Sequence, residues 1–309
     1  DFGINRQYLR YWHGSIVLLR PLLTILNVHG IYILNAVILV VLFTVFAFLC
    51  VRIREYPLII AFAVSLVMTR CWFVPLSLEY TWMFMIMLAA SIIAVVMKNK
   101  HKEEYFPVLF AVTGMVTSFF DFLTTETLTL LMPLLVIIWL TRGSDTGSER
   151  IKQPIWYTVS WGIGYAGMWA SKWILCSIVM HENALPYVTD HVSERISGTF
   201  GIETSTPALS AIARNISCLF PLGYGAVSVI VFIVIILSAA YIGFVYRRGN
   251  CDKKVLLVLA VCAIIPYVRY IVLHNHSYLH YFFTYRAQAA TVAAIVLIVI
   301  YLTEKSHVR

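Results

Sequence analysis

Long apolar runs, each closed by a short charged connector, set the pattern of this chain. The runs over 31–51, 57–75, 80–97, 105–120, 127–141, 154–180, 222–246, 254–272 and 287–303 lack the two-residue alternation of barrel strands and predict helices. The expected fold is all-α: a polytopic integral membrane protein of about nine spans, forming a single membrane domain over 1–309. Several runs fall short of the roughly 20 residues of a full span. The pair flanking FFDFLTTET reads either as two short spans or as a re-entrant hairpin. Within 154–180, Gly162, Ala166 and Ala170 fall four apart, which predicts a small-residue strip for close packing against another helix.

The polar connectors assign sides. RIRE (52–55), KNKHKEE (98–104), the stretch 142–152, RRGNCDKK (247–254) and the tail EKSHVR all fall on one side of nine spans. That side holds 14 of the 23 Lys and Arg against 7 of the 15 acids, and the other side holds 9 against 8. The positive-inside rule makes the first side cytoplasmic, with the N-terminus outside and the C-terminus inside. Segment 1–30 is then external. Tyr8, Tyr11, Trp12, Ile16, Leu19, Leu22, Leu23 and Leu26 near helical spacing predict an interfacial amphipathic helix, broken near Pro21. An external start with no initiator Met and no signal peptide leads to the expectation of an upstream first helix. The connector 181–221 is also external, with one or two short helices expected.

Composition strengthens this picture. A hydrophobic fraction of 61%, a charged fraction of 12% and a mean hydropathy of +0.83 exceed what a soluble domain reaches. The formal charge of +8 is accounted for by topology, so no nucleic-acid partner is expected. Six cysteines without a CxxC pair give neither a disulfide framework nor a zinc signature.

Candidate chemistry concentrates outside. RYIVLHNHSYLHYFFTYR, residues 269–286, crowds three histidines, two arginines and several aromatics between two apolar runs. Arg20, Arg70, Lys172, Arg269 and Arg286 map to the outer side, where cations oppose the topology signal. Lys172 lies 18 residues past Pro154, about 27 Å along a helix. A phosphate at headgroup depth gives such cations a use; snorkelling to external water is the plainer reading. Acids on the same side include Asp121, Glu126, Glu79, Asp190, Glu194 and Glu203. Asp121, set among Phe119, Phe120 and Phe122, is a candidate general base. Its pKa is open to desolvation in one direction and a neighbouring arginine in the other, and a helix cap or a helix-locking ion pair is the structural alternative. His274, His276 and His280 lack a completing carboxylate or cysteine, so no metal site is assigned. Asn215 and Asn275 stand in N-x-S triplets that fit the glycosylation pattern.

Four blocks, RYWHGSIVLLRPLL, GMVTSFFDFLTTETLTLLMPLL, WGIGYAGMWASKW and HNHSYLHYFFTYR, resemble uncharacterised bacterial glucosyltransferase-like polytopic proteins. The architecture resembles the C-fold (GT-C) membrane glycosyltransferases. The resemblance implies a polyprenyl-phosphate-linked sugar as donor and transfer at the outer leaflet of a bacterial plasma membrane. In that superfamily the key acid follows the first helix, where this chain offers only Asp1 before Glu55, so the resemblance itself carries over no catalytic residue.

The expected site therefore has Asp121 and Glu126 as catalytic acids. Arg10, Arg20, Lys172, Arg269 and Arg286 hold the donor phosphate, and His13, His276, Tyr278, His280 and Tyr285 line the sugar. Expected partners are membrane lipids and a lipid-linked sugar. No tightly bound cofactor is expected, and a divalent cation and the oligomeric state stay open. Rival expectations are a transporter or flippase of lipid-linked sugars and a non-catalytic cell-envelope assembly subunit. The apolar midsections of 31–51, 222–246 and 287–303 speak against a polar path through the membrane.

Overall fold

The computed structural model describes residues 11–143, 147–181, 183, 186, 189, 208–220, 225–246 and 251–304. These residues form an all-helical bundle, with no strand among them. The main helices are α1 (Gly14–Leu22), α2 (Val28–Arg52), α3 (Tyr56–Met68), α4 (Thr81–Asn99), α5 (Phe106–Phe120), α6 (Thr127–Thr141) and α7 (Glu149–Met180). They are followed by α8 (Ala208–Leu219), α9 (Gly225–Val245), α10 (Lys253–Val272), α11 (His274–Leu279), α12 (Tyr281–Thr284) and α13 (Ala289–Thr303). Short 3-10 turns at Cys71–Leu76 and Tyr285–Gln288 lie at one end of the bundle.

Local signals explain the helix starts. Asn27 caps α2 by accepting from the Gly30 N–H at 2.8 Å, and Asp252 caps α10 by accepting from the Lys254 N–H at 2.7 Å. Pro57 and Pro107 open α3 and α5, where a missing N–H costs nothing. Pro21 falls in the last turn of α1, which ends at Leu22 as its position predicts.

Helix α6 is the axis of the bundle: every residue from Leu128 to Trp139 is buried. It touches α4, α5, α7, α10 and α13, while α3 packs along α13. By contrast α2, α7 and α9 turn most of their apolar surface outward, as helices facing lipid do.

A helix stands at each of the nine expected spans, and six helical stretches among the described residues are long and apolar enough to cross a membrane. The shorter α3, α5 and α6, with 13, 15 and 15 residues, reach only about 20–22 Å against a hydrocarbon thickness of about 30 Å. Encirclement by other helices is what lets α6 be short, because its ends meet protein instead of lipid.

The small-residue expectation is corrected by two residues. Gly162 has open space around it and Ala166 is exposed. The close approach is made by Gly164, where a Cβ would overlap the Ala111 carbonyl, and by Gly114, where it would overlap the Trp161 carbonyl. The two glycines let the backbones of α5 and α7 touch. At 3.6 residues per turn, Gly162 lies about 200° around the helix from Gly164 and faces outward.

The connectors sort to the two ends as their composition suggests. At one end Glu55 accepts from Trp139 Nε1 at 2.8 Å and from Arg142 at 3.1 Å, Arg150 pairs with Asp252 at 2.7 Å, and Lys98 pairs with Glu103 at 2.7 Å. The opposite end gathers the 3-10 turns, α8, α11, the α5–α6 corner and the start of α1.

Candidate functional site: a buried polar end of the bundle

The corner between α5 and α6 is shaped by Asp121. Its backbone turns extended (φ −94°, ψ 152°) while its N–H still reaches the Thr117 carbonyl at 2.8 Å, so α5 stops there. Its carboxylate accepts from the Thr124 N–H at 3.1 Å and from the Thr124 hydroxyl, which folds 121–124 into a tight turn. Leu123 is thereby held at φ +62°, a costly region for a branched side chain.

Arg269 of α10 secures this strained turn. Its Nε donates to Glu126 Oε1 at 2.6 Å, and its Nη2 donates to Glu126 Oε2 at 3.1 Å and to the Leu123 carbonyl at 2.6 Å. Its Nη1 reaches Ser277 Oγ at 3.2 Å. Both charged side chains are buried, and the fork geometry suits the pair. Arg269, expected on the donor phosphate, is therefore engaged inside the protein. Glu126, expected as a catalytic acid, is likewise spent on a helix-locking ion pair, the alternative weighed for Asp121.

The network continues sideways. Asn215 of α8 donates to the Ser277 carbonyl at 2.9 Å and accepts from Thr284 Oγ1 at 2.8 Å. Gln288 donates to the Asn215 carbonyl at 2.9 Å and accepts from the Tyr267 hydroxyl at 3.0 Å. Asn215 and Asn275 are both buried, so neither N-x-S triplet presents a glycosylation acceptor in the folded protein. Helix α8 is a short helix of the kind expected within 181–221, and its Ala211, Asn215, Ile216 and Leu219 are buried against the bundle.

Aromatic residues wall the corner. Tyr11 stacks on Trp169 with centroids 6.4 Å apart and meets Phe122 edge-on at 5.8 Å. Trp12 donates to the Met168 carbonyl at 2.7 Å, and the Lys172 ammonium sits 5.2 Å over the Trp12 ring. The His13 ring lies 4.8 Å from Phe122. Gly14 is pressed against Phe119, where a Cβ would overlap the ring. Helix α7 runs on from Trp169 to Met180, about 16 Å, and so stands as a wall above the corner.

Burial dominates the electrostatics of Asp121. Burial pushes the Asp121 carboxyl up to about 7; the Glu126 charge adds to this, while the Thr124 hydrogen bonds and Arg269 pull the other way. Burial, then the Lys172 charge, lowers the His13 imidazole below its ordinary value.

The remaining expected residues fall into a second group. Arg286 is 4% exposed; its guanidinium lies 4.7 Å from the rings of both Tyr80 and Tyr285 and donates to the Phe282 carbonyl at 2.8 Å. Among the described residues its Nε has no hydrogen-bond partner. Tyr285 donates to the Thr69 carbonyl at 3.1 Å. The His276 and His280 rings are 4.7 Å apart, and His280 stacks on Phe283 at 5.3 Å. Tyr278 lies under the Arg214 guanidinium at 4.5 Å. Arg20 is exposed at the end of α1, and Arg10 lies outside the described residues. No group of three His, Cys, Asp or Glu side chains converges among the described residues.

Sequence reasoning missed Thr124 and Arg214. Thr124 carried a signal: an Asp followed three residues later by Thr is a turn-closing pair. Arg214 sits in a stretch whose polarity resembled a solvated loop. At the opposite end, a hollow of about 600 Å³ is lined by Lys98, Glu103, Glu149, Lys152, Trp156 and Tyr157, and its lysines pair with Glu103 and Glu149.

These features define a polytopic helical membrane protein with a buried, partly titratable polar network at one end. No family profile, curated protein or solved structure matches the chain.

Proposed function

We propose that the protein is a membrane glycosyltransferase acting at the outer face of a bacterial plasma membrane on a polyprenyl-phosphate-linked sugar. The observation that carries this reading is the division of labour between Asp121 and Glu126. Glu126 takes the guanidinium, which leaves Asp121 a buried carboxyl held by Thr124 donors alone among the hydrogen bonds described, with a pKa raised towards neutrality. That is the state a general base needs. In the proposed step, an acceptor hydroxyl attacks the anomeric carbon as Asp121 takes its proton, and the sugar–phosphate bond breaks with the electron pair leaving on the polyprenyl phosphate. Phe122 and Trp169, both partly exposed, are the aromatic rings nearest to hand for a sugar, and Lys172 is the cation over the neighbouring Trp12 ring. The basic connectors gathered at the opposite end support an outward-facing site.

The test is transfer from a radiolabelled polyprenyl-phosphate hexose in proteoliposomes. Asp121→Asn is expected to lower transfer at least a hundredfold while preserving the Thr124 turn. Wild-type transfer in that variant would overturn the base assignment. Movement of the label across the bilayer with no bond made would replace the enzyme with a flippase.

A further inference from the structure

A cluster of guanidinium groups lies away from the Asp121 corner. Arg286 projects from the 3-10 turn Tyr285–Gln288, Arg214 from α8, and Arg70 precedes the 3-10 turn Cys71–Leu76. Their elements are tied together: the Tyr285 hydroxyl bonds the carbonyl of Thr69, next to Arg70, and Thr284 bonds Asn215, next to Arg214. All three arginines act electrostatically on the Cys218 thiol, and Arg70 and Arg286 both act on the Tyr285 hydroxyl, with no carboxylate among the described residues acting on either group.

Like charges do not gather around a buried one without a reason. None of the three arginines forms a salt bridge with a described acid, and Glu79, beside Tyr80, is exposed. Among the described residues Arg286 is held by a single carbonyl and two tyrosine rings, and its Nε meets no acceptor. A buried charge in this condition needs a counter-charge. Beside the cluster, Trp72, Phe73, Leu76 and Phe282 are 55%, 46%, 53% and 57% exposed, an apolar rim suited to hydrocarbon.

We propose that Arg70, Arg214 and Arg286 form a binding site for the phosphate of a membrane lipid, with the apolar rim receiving its chain. Three guanidinium groups present the forked donors that a phosphate accepts, and Arg286 lies over the rings of Tyr80 and Tyr285. The site stands on its own observations, whether or not a sugar is transferred at Asp121.

Native mass spectrometry of the full chain in neutral detergent tests the assignment, with phosphatidic acid as probe and phosphatidylcholine as reference. One phosphatidic acid per chain is expected to be retained. Arg70→Gln, Arg214→Gln and Arg286→Gln are each expected to weaken retention at least tenfold, Arg286→Lys to weaken it less than Arg286→Gln, and Arg20→Gln and Asp121→Asn to leave it within twofold. Arg70 and Arg214 are only partly buried, so their variants keep the test decisive if Arg286→Gln does not fold. Equal loss in Arg20→Gln would overturn the site in favour of diffuse surface charge, as would unchanged retention in Arg70→Gln and Arg214→Gln. Displacement of the lipid by equimolar inorganic phosphate would overturn the lipid source and leave a free-phosphate site. Loss of sugar transfer in Asp121→Asn with retention intact separates this proposal from the catalytic one.

Discussion

Arg269 and Glu126, 143 positions apart, close a two-pronged ion pair with nitrogen–oxygen distances of 2.6 and 3.1 Å inside the bundle. The same guanidinium holds the carbonyl of Leu123, a residue with positive φ, so one side chain fixes both the charge and the backbone of the α5–α6 corner.

Breaking that pair from one side strands a buried charge. Arg269→Met or Glu126→Gln is expected to cost about 3–5 kcal/mol of stability. Replacing both is expected to recover part of the loss, with a coupling on the order of 1–3 kcal/mol. Reversible unfolding in mixed micelles measures the cycle; additive losses would mean that the pair is not coupled.

The α5–α7 contact gives a sharper packing test. Gly164→Ala and Gly114→Ala each push a methyl group into a facing backbone carbonyl, and each is expected to destabilise by about 1–3 kcal/mol. Gly162→Ala meets open space and is expected to be neutral or to stabilise by up to about 1 kcal/mol through helix propensity. A thermal melt of the three variants in one detergent ranks them, and equal effects at 162 and 164 would contradict the observed packing face.

Stability should also depend on pH through Asp121. Its folded pKa of about 7 lies above the ordinary 3.8, so between those values the folded protein holds a proton that the unfolded chain has released. Stability gained below that window is therefore lost as pH rises through it. Asp121→Asn is expected to flatten this slope, measured as the melting temperature against pH from 4.5 to 8. A variant with the wild-type slope would place the titration elsewhere.

Orientation is tested by labelling in a background whose native cysteines are replaced. Both Glu79 and Glu104 are exposed, at opposite ends of the bundle. With a membrane-impermeant maleimide on intact cells, Glu79→Cys is expected to react and Glu104→Cys to react only after lysis. The reverse pattern would turn the polar end inward.

Much of the fold was legible because hydrocarbon constrains a sequence strongly. Runs such as 31–51 and 127–141 have one stable solution in lipid, a helix, and charged connectors such as KNKHKEE stay in water. The site was legible only in part. Asp121, Glu126, Arg269 and Arg286 stood out as polar groups next to apolar runs, yet their spacing along the chain held no sign that Glu126 would take Arg269. Nor did it place Arg70 and Arg214 beside Arg286.

The sequence by itself determined an all-helical membrane protein with its basic connectors segregated to one side, because burial of apolar surface and satisfaction of backbone polar groups act on each segment alone. Only the tertiary structure decided that α6 is the axis, that Gly164 and not Gly162 meets α5, and which acid is paired. Those outcomes depend on helix rotation and on contacts between residues far apart in the chain, such as Gly164 with Ala111 and Arg269 with Glu126, which are set by mutual packing.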